Sequence, residues 1–271
     1  MIISRFGDTW AGGYALPLVK ASDDWLIGRP PVLAQVGGAD GAFDFFGDDS
    51  FPLQPVVVAK SFVLTAATYS AMDTAIDALK TLATVGRSKL WLLGRDGSTH
   101  LWSWAKVIEV NVAEKTDNWH QLPASIKFSV PEGLWYAETL SSFNLHGNIN
   151  LIPFNVTVGG TYPAMPYFDF HFINASPDAS YYNIQLRNFT TVHQFDYSQP
   201  VEIAETLIIN AATYAISHTG ETNPYQYLTV PATQLPWFKL QPGVNSCGFD
   251  YEWTGTITTS VKYMYWYNTY L

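Results

Sequence analysis

Charged residues make up only 14% of this 271-residue chain and hydrophobic residues 48%, so polar contacts fall mainly to Ser, Thr, Asn, Gln and Tyr. The net charge is −9 and no window concentrates Lys and Arg, which argues against binding nucleic acid by neutralising phosphates. Aromatic residues reach 15%, an excess that suits half-buried strands and contact surfaces between proteins.

Taken in chain order, residues 1–50 are rich in turns. Gly12-Gly13, Arg29-Pro30-Pro31 and Gly37-Gly38-Ala39-Asp40-Gly41 separate short apolar pieces such as Trp25-Leu26-Ile27 and Val32-Leu33-Ala34. A strand is expected over Val56–Leu64. Met72, Ile76, Leu79 and Ala83 then share one helical face, so a helix is predicted from about Ser70 to Val85, with Ser70 as N-cap and Gly86 as its stop. A hairpin follows, Lys89–Leu93 turning at Arg95-Asp96-Gly97-Ser98 into Thr99–Lys106. Val107–Val112 and Ser125–Val130 continue in strand pattern until Pro131-Glu132-Gly133 breaks it.

From about Ser141 the charge thins. Residues 1–140 carry 11 basic and 15 acidic side chains, residues 141–271 only 3 and 8. Short strands recur at the spacing of a β-sandwich: Asn148–Val158, Tyr167–Ile173, Tyr181–Phe189, Val201–Asn210, Thr213–His218, Tyr225–Val230, Trp237–Leu240, Ser246–Trp253 and Thr256–Trp266. In the last, Tyr263, Tyr265 and Tyr267 oppose Met264 and Trp266, so both faces need cover. A mainly β chain of two domains is the expectation, 1–140 and 141–271, with the boundary between about 137 and 148.

Motifs for catalysis are lacking. There is no HExxH, GxSxG, Walker loop or GxGxxG after a strand, and the six His are scattered. Neither a metal nor a cofactor is expected, and no enzymatic activity. Asp169-Phe170-His171 reads as a hydrogen-bonded surface pair on one strand face. Asp40, Asp44, Asp48 and Asp49 interleave with Phe43, Phe45 and Phe46 without the ligand order of an EF-hand, and read as a solvated loop or an acidic channel lining. Trp237, Tyr251 and Trp253 read as core, as a docking surface, or as a ring platform for sugar. The lone Cys247 reads as a small buried strand residue. The start lacks the pattern of a signal peptide and no apolar run approaches the ~20 residues of a membrane span, so a soluble protein made in a cytoplasm is expected.

Three stretches resemble the distal tail proteins of long-tailed (siphovirus-type) bacteriophages. They are Gly37-Gly38-Ala39-Asp40-Gly41-Ala42-Phe43-Asp44, then Leu122-Pro123-Ala124-Ser125-Ile126-Lys127-Phe128-Ser129-Val130-Pro131-Glu132-Gly133-Leu134-Trp135-Tyr136, and Phe238-Lys239-Leu240-Gln241-Pro242-Gly243-Val244-Asn245. The first 35 residues and the middle of the second half match no motif of that family. The resemblance implies an N-terminal β-sandwich with one helix and a hairpin, and a C-terminal galectin-like or jelly-roll antiparallel β-sandwich. It also implies a ring of six copies at the distal end of the virion tail, open for DNA that passes without specific binding. The partners implied are the tail tube protein and tail-tip, fibre or receptor-binding proteins. A carbohydrate-binding module for host-surface glycans and another tail-tube or minor tail protein are the alternative readings.

Overall fold

The structure, a computed structural model, describes residues 2–9, 11, 14–16, 23–25, 33–35, 42–44, 55–94, 98–114, 119–145, 150–175, 179–231 and 238–270. It is mainly β and divides into two compact units, Met1–Tyr136 and Ala137–Leu271.

The first unit begins with β1 (Ile2–Phe6), which buries Ile3 and Phe6 and pairs antiparallel with the short β2 (Tyr14–Ala15). The segment expected to be irregular therefore opens on a core strand. Next come β3 (Asp23–Trp25), β4 (Leu33–Gln35) and β5 (Ala42–Asp44), the last two pairing with each other. In β6 (Val56–Thr65) alternate residues Val58, Lys60, Phe62 and Leu64 are buried, the period-two pattern of a half-buried strand.

Helix α1 (Tyr69–Thr81) starts one residue before the expected cap. Thr68, extended at φ −134°, accepts the Ala71 amide at 3.2 Å, because a threonine already in β conformation can turn its hydroxyl onto the first free N–H groups. Met72, Ile76 and Leu79 form its buried face against β6. The expectation for Ala83 is corrected. The helix tightens into a 3₁₀ turn at Leu82–Thr84, which rotates Leu82 inward and leaves Ala83 exposed.

The hairpin is β7 (Ser88–Leu93) and β8 (His100–Val112); its turn residues 95–97 lie outside the described residues. The first half of β8 pairs with β7. From Lys106 on it pairs with β9 (Gln121–Val130), with a register shift between Val107 and Glu109, so one strand pairs with two partners along its length. β9 pairs with β6 along its whole length, and its Ile126, Phe128 and Val130 are fully buried in the core.

β10 (Trp135–Asn144) leads into the second unit. This unit contains β11 (Phe154–Val158), β12 (Tyr167–Ala175), β13 (Ser180–Asn188), β14 (His193–Tyr197), β15 (Val201–Glu202), β16 (Thr206–Asn210), β17 (Ala215–His218), β18 (Leu228–Thr229), β19 (Gly243–Thr254) and β20 (Ile257–Tyr270). One sheet runs β17-β16-β12-β20-β10, the other β11-β19-β13-β14-β18 with β15 also on β13. Apolar side chains from the two sheets interdigitate, as in Phe168 against Phe195 (5.0 Å) and Phe170 against Phe249 (5.8 Å). Each ring so buried contributes about 2–3 kcal/mol.

Two expected strands are corrected here. Val201–Asn210 splits into β15 and β16 at a turn where Ala204 takes φ +66°. Tyr225–Val230 is a 3₁₀ turn, Pro224–Tyr227, followed by the two-residue β18. Of Trp237–Leu240, Trp237 lies outside the described residues and Leu240 makes a single bridge to Ala164. Strand β14, which is not among the strands expected from the sequence, buries His193, Phe195 and Tyr197.

Candidate functional site

The acidic loop is described only at its start. Asp44 ends β5 opposite Leu33, and Asp40, Asp48 and Asp49 lie outside the described residues. Of the aromatic trio, Trp237 also lies outside them. Tyr251 and Trp253 stand two apart near the end of β19, with ring centroids 5.8 Å apart. Trp253 is 50% exposed although it shares the inward register of Cys247 and Phe249.

Around these rings lies an open cleft of about 400 Å³, lined by Asn150, Tyr182, Asp250, Tyr251, Glu252 and Trp253. β13 has a bulge between Tyr182 and Gln185, with Asn183 at φ +52°, and Tyr182 there stands opposite Glu252 of β19. The carboxylates are held in place. Asp250 Oδ1 accepts the amides of Asn150 and Tyr251, each at 2.9 Å. Glu252 Oε1 accepts Asn183 Nδ2 at 3.1 Å, and the carboxylate also receives the Tyr182 hydroxyl. Burial first, and then the nearby Glu252 charge, raise the Tyr182 pKa, so this phenol stays a donor. Asn150, Tyr182, Asp250 and Glu252 carried no sequence signal. Asp250 and Glu252 lie on β19; the β13–β19 register brings Tyr182 to them, and the Asn150 amide meets Asp250 from outside both strands.

Beneath the rim lies Lys262, 1% exposed, whose Nζ donates to the hydroxyls of Tyr181 and Tyr251, both at 2.9 Å. It also sits 4.6 and 4.4 Å from the centroids of those rings. Among the described residues no carboxylate pairs with it. Burial pulls its pKa down from 10.5 to about 8, and the same burial pushes Tyr181 up to about 12. Tyr181 in turn donates to Ser260 Oγ.

Elsewhere, His171 Nδ1 and Asp169 Oδ1 are 2.9 Å apart on one face of β12, a pairing that matches the expected surface pair. Tyr167, Tyr265 and Tyr263 stack beside them at centroid spacings of 4.9 and 5.6 Å. His218, its side chain 1% exposed, links Tyr197 (2.7 Å) to Glu205 (3.2 Å), but the buried Tyr197 has no access to solvent. Cys247 is fully buried in β19, as its reading as a small buried strand residue expects, and that burial pushes its thiol up to about 12. In the first unit Lys89 Nζ lies 4.2 Å from the Trp102 ring and Arg87 5.2 Å from Trp104. Among the described residues there is no group of three His, Cys, Asp or Glu placed to hold a metal, and no helix long and apolar enough to cross a membrane.

Two of the stretches that carry the resemblance acquire a physical cause. In Pro131-Glu132-Gly133, Gly133 takes φ +61°, while Glu132 accepts the Tyr136 hydroxyl at 2.8 Å and pairs with Arg87. In Phe238–Asn245, the buried Asn245 accepts the Gln241 amide (2.8 Å), donates to the Gln241 carbonyl (2.7 Å) and receives Asn188 Nδ2 (3.2 Å). Gly243, at φ +95°, lets the chain close around that side chain.

No protein-family model and no curated protein sequence matches this chain. Solved structures do. The crystal structure of the SPP1 Dit protein, described as a paradigm of the hub adsorption apparatus in Gram-positive-infecting phages, aligns over 93% of this chain and 90% of its own. The TM-score is 0.57 and the identity 12%. Two chains of the phage p2 baseplate in its activated conformation align at 8% identity. One covers 92% of this chain and 87% of its own with a TM-score of 0.39, the other 98% of each with 0.42, too distant to bear on the fold. The mainly β architecture set out above therefore has the fold of the SPP1 Dit protein over 93% of this chain, at 12% sequence identity.

Proposed function

We propose that this chain is a structural hub protein of a bacteriophage tail, without catalytic activity. The observation that carries the reading is the end-to-end likeness in fold to the SPP1 Dit protein, itself a hub component. The site chemistry agrees. In the group of Tyr197, His218 and Glu205 the first two are buried and closed to substrate, and in the open cleft at Trp253 the one hydroxyl on a carboxylate, Tyr182 on Glu252, has its pKa raised and is a poor nucleophile.

In this reading residues 1–140 form a ring of six copies at the distal end of the tail, in register with the tail tube protein. Residues 141–271, a galectin-like sandwich, project outward to hold tail-tip, fibre or receptor-binding proteins. Asp40, Asp44, Asp48 and Asp49 line the channel, where an acidic wall lets DNA pass without adhering. The exposed Arg87 and the half-buried Lys89 and Trp104, stacked over the buried Trp102, supply contact between copies, since Trp and Arg dominate such interfaces.

The test is the mass of the purified full chain by light scattering across a hundredfold concentration range, with negative-stain microscopy of the same samples. A six-membered ring with a central opening is the expected result. A strict monomer at the highest concentration, with no ring on the grid, would overturn the proposal.

A further inference from the structure

We infer that the outer face of the β14-β13-β19 sheet, around Arg187 and Asp196, is a binding site for a neutral saccharide. The inference goes beyond the hub reading and stands on this face's own geometry. Along β13, Ile184, Leu186 and Asn188 are buried inward, so Gln185, Arg187 and Phe189 stand on the opposite face. Residues directly opposite on paired strands share a face, which sets Asp196 of β14 beside Gln185 and Gly248 of β19 beside Arg187. The Phe189 ring lies over Gly248, with two of its carbons 2.9 Å from where a Cβ would stand, and the residue is still 44% exposed.

The polar groups on this face are not used by the protein. Neither the Arg187 guanidinium, the Asp196 carboxylate nor the Gln185 carboxamide makes a side-chain hydrogen bond to any described residue. Of their polar atoms only Arg187 Nε and Asp196 Oδ1 are closed to solvent; both Nη atoms and Oδ2 remain open. The two charges are near each other, since burial raises the Asp196 pKa and the Arg187 charge then pulls it back. Packing that closes off Nε and Oδ1 also holds both side chains, which lowers the cost of ordering them around a ligand.

A vicinal diol completes such a pair. One hydroxyl accepts from an Arg187 Nη–H while its neighbour donates to Asp196 Oδ2, and both bonds are charge-assisted. Gln185 adds a further donor and acceptor, and the exposed Phe189 ring offers apolar surface to the C–H groups of a pyranose. Charge selects a neutral ligand. Gln185 has Asp196 on one side and Asp250 on the other, so the single cation Arg187 stands near two acids and an anionic sugar meets net repulsion.

The experiment uses the full chain and saturation-transfer difference NMR, which is read on the ligand and works at any oligomeric size. The probes are the methyl glycosides of galactose, glucose, N-acetylglucosamine and rhamnose, with methyl glucuronide as the anionic control. At least one neutral glycoside should bind with a Kd of about 1–10 mM. That affinity should hold to within about twofold between roughly 50 and 500 mM salt, because no net charge is neutralised. Arg187→Lys and Asp196→Asn should each weaken it about tenfold, and Phe189→Ala several-fold, the exposed ring making the last variant least able to disturb the fold. Trp253→Leu, on the inward register of β19, should leave binding unchanged.

Saturation transfer to none of the four neutral glycosides would overturn the inference and leave these groups to solvent. So would binding indifferent to the Arg187, Asp196 and Phe189 variants, or lost in Trp253→Leu, which would move the sugar to another face. Preference for the glucuronide, weakened by salt, would overturn it in favour of an anion. Ring formation is read separately by microscopy, so a failed ring and a failed sugar site are distinguishable.

Discussion

Replacing Lys262 with methionine isolates the effect of a buried ammonium that no carboxylate compensates. In the folded protein burial lowers this lysine from 10.5 to about 8, so between those values the unfolded chain holds the proton and the folded chain does not. Wild-type stability must therefore rise with pH across the window, by roughly 3 kcal/mol in full and about 1 kcal/mol between pH 7 and pH 9. Methionine has nearly the same length and no charge, so its curve lacks this rise. At neutral pH the two proteins should differ by only about 1–2 kcal/mol in either direction. Methionine escapes the desolvation cost but gives up the hydrogen bonds to Tyr181 and Tyr251 and the two ring contacts. The assay is urea denaturation followed by tryptophan fluorescence at half-unit pH steps from 7 to 9, taking the transition of the second unit if the two units melt separately. Cys247 opposes the trend above pH 9, since its thiol ionises only in the unfolded chain, but it does so equally in both proteins and cancels in the difference. Curves that stay parallel to within about 0.3 kcal/mol would refute the reasoning, because they would mean that Lys262 keeps an ordinary pKa when folded.

Asn245→Ala should cost about 2–4 kcal/mol in the same denaturation assay, since it strands the Gln241 amide and carbonyl and one amide hydrogen of Asn188. Gly160→Ala should cost at least about 2 kcal/mol, because φ is +95° there and a Cβ would stand 2.1 Å from the Thr269 carbonyl oxygen; a loss below about 0.5 kcal/mol would contradict the close pairing of this segment with β20. Cys247 should resist a thiol reagent at pH 8 by a factor of about 100 or more over the urea-unfolded chain, and rapid labelling of the native protein would show that the sandwich opens at β19. Thr68→Ala should cost about 1 kcal/mol through loss of the helix cap, and Thr68→Ser should restore most of it.

The sequence by itself determined what depends on local periodicity. The helix face of Met72, Ile76 and Leu79, the inward Ile126, Phe128 and Val130, and the opposed sets Tyr263/Tyr265 and Met264/Trp266 follow from spacings of 3.6 and 2 that a few neighbouring residues establish. The Asp169–His171 pair was legible for the same reason, as two residues apart on a strand share a face. Tertiary structure decided the rest. Thr68 outcompetes Ser70 as the cap because of its backbone angle, and Ala204 breaks an apolar run that reads as one strand because the turn there requires a positive φ. A buried lysine reads in sequence like any exposed one, since its environment comes from Tyr181 and Tyr251, 81 and 11 residues away. The cleft at Trp253 draws Asn150, Tyr182 and Asp250 from separate segments through a strand register and one bulge, which no short window of residues contains. Local spacing tells which way a side chain faces; only the pairing of distant strands determines what it meets there.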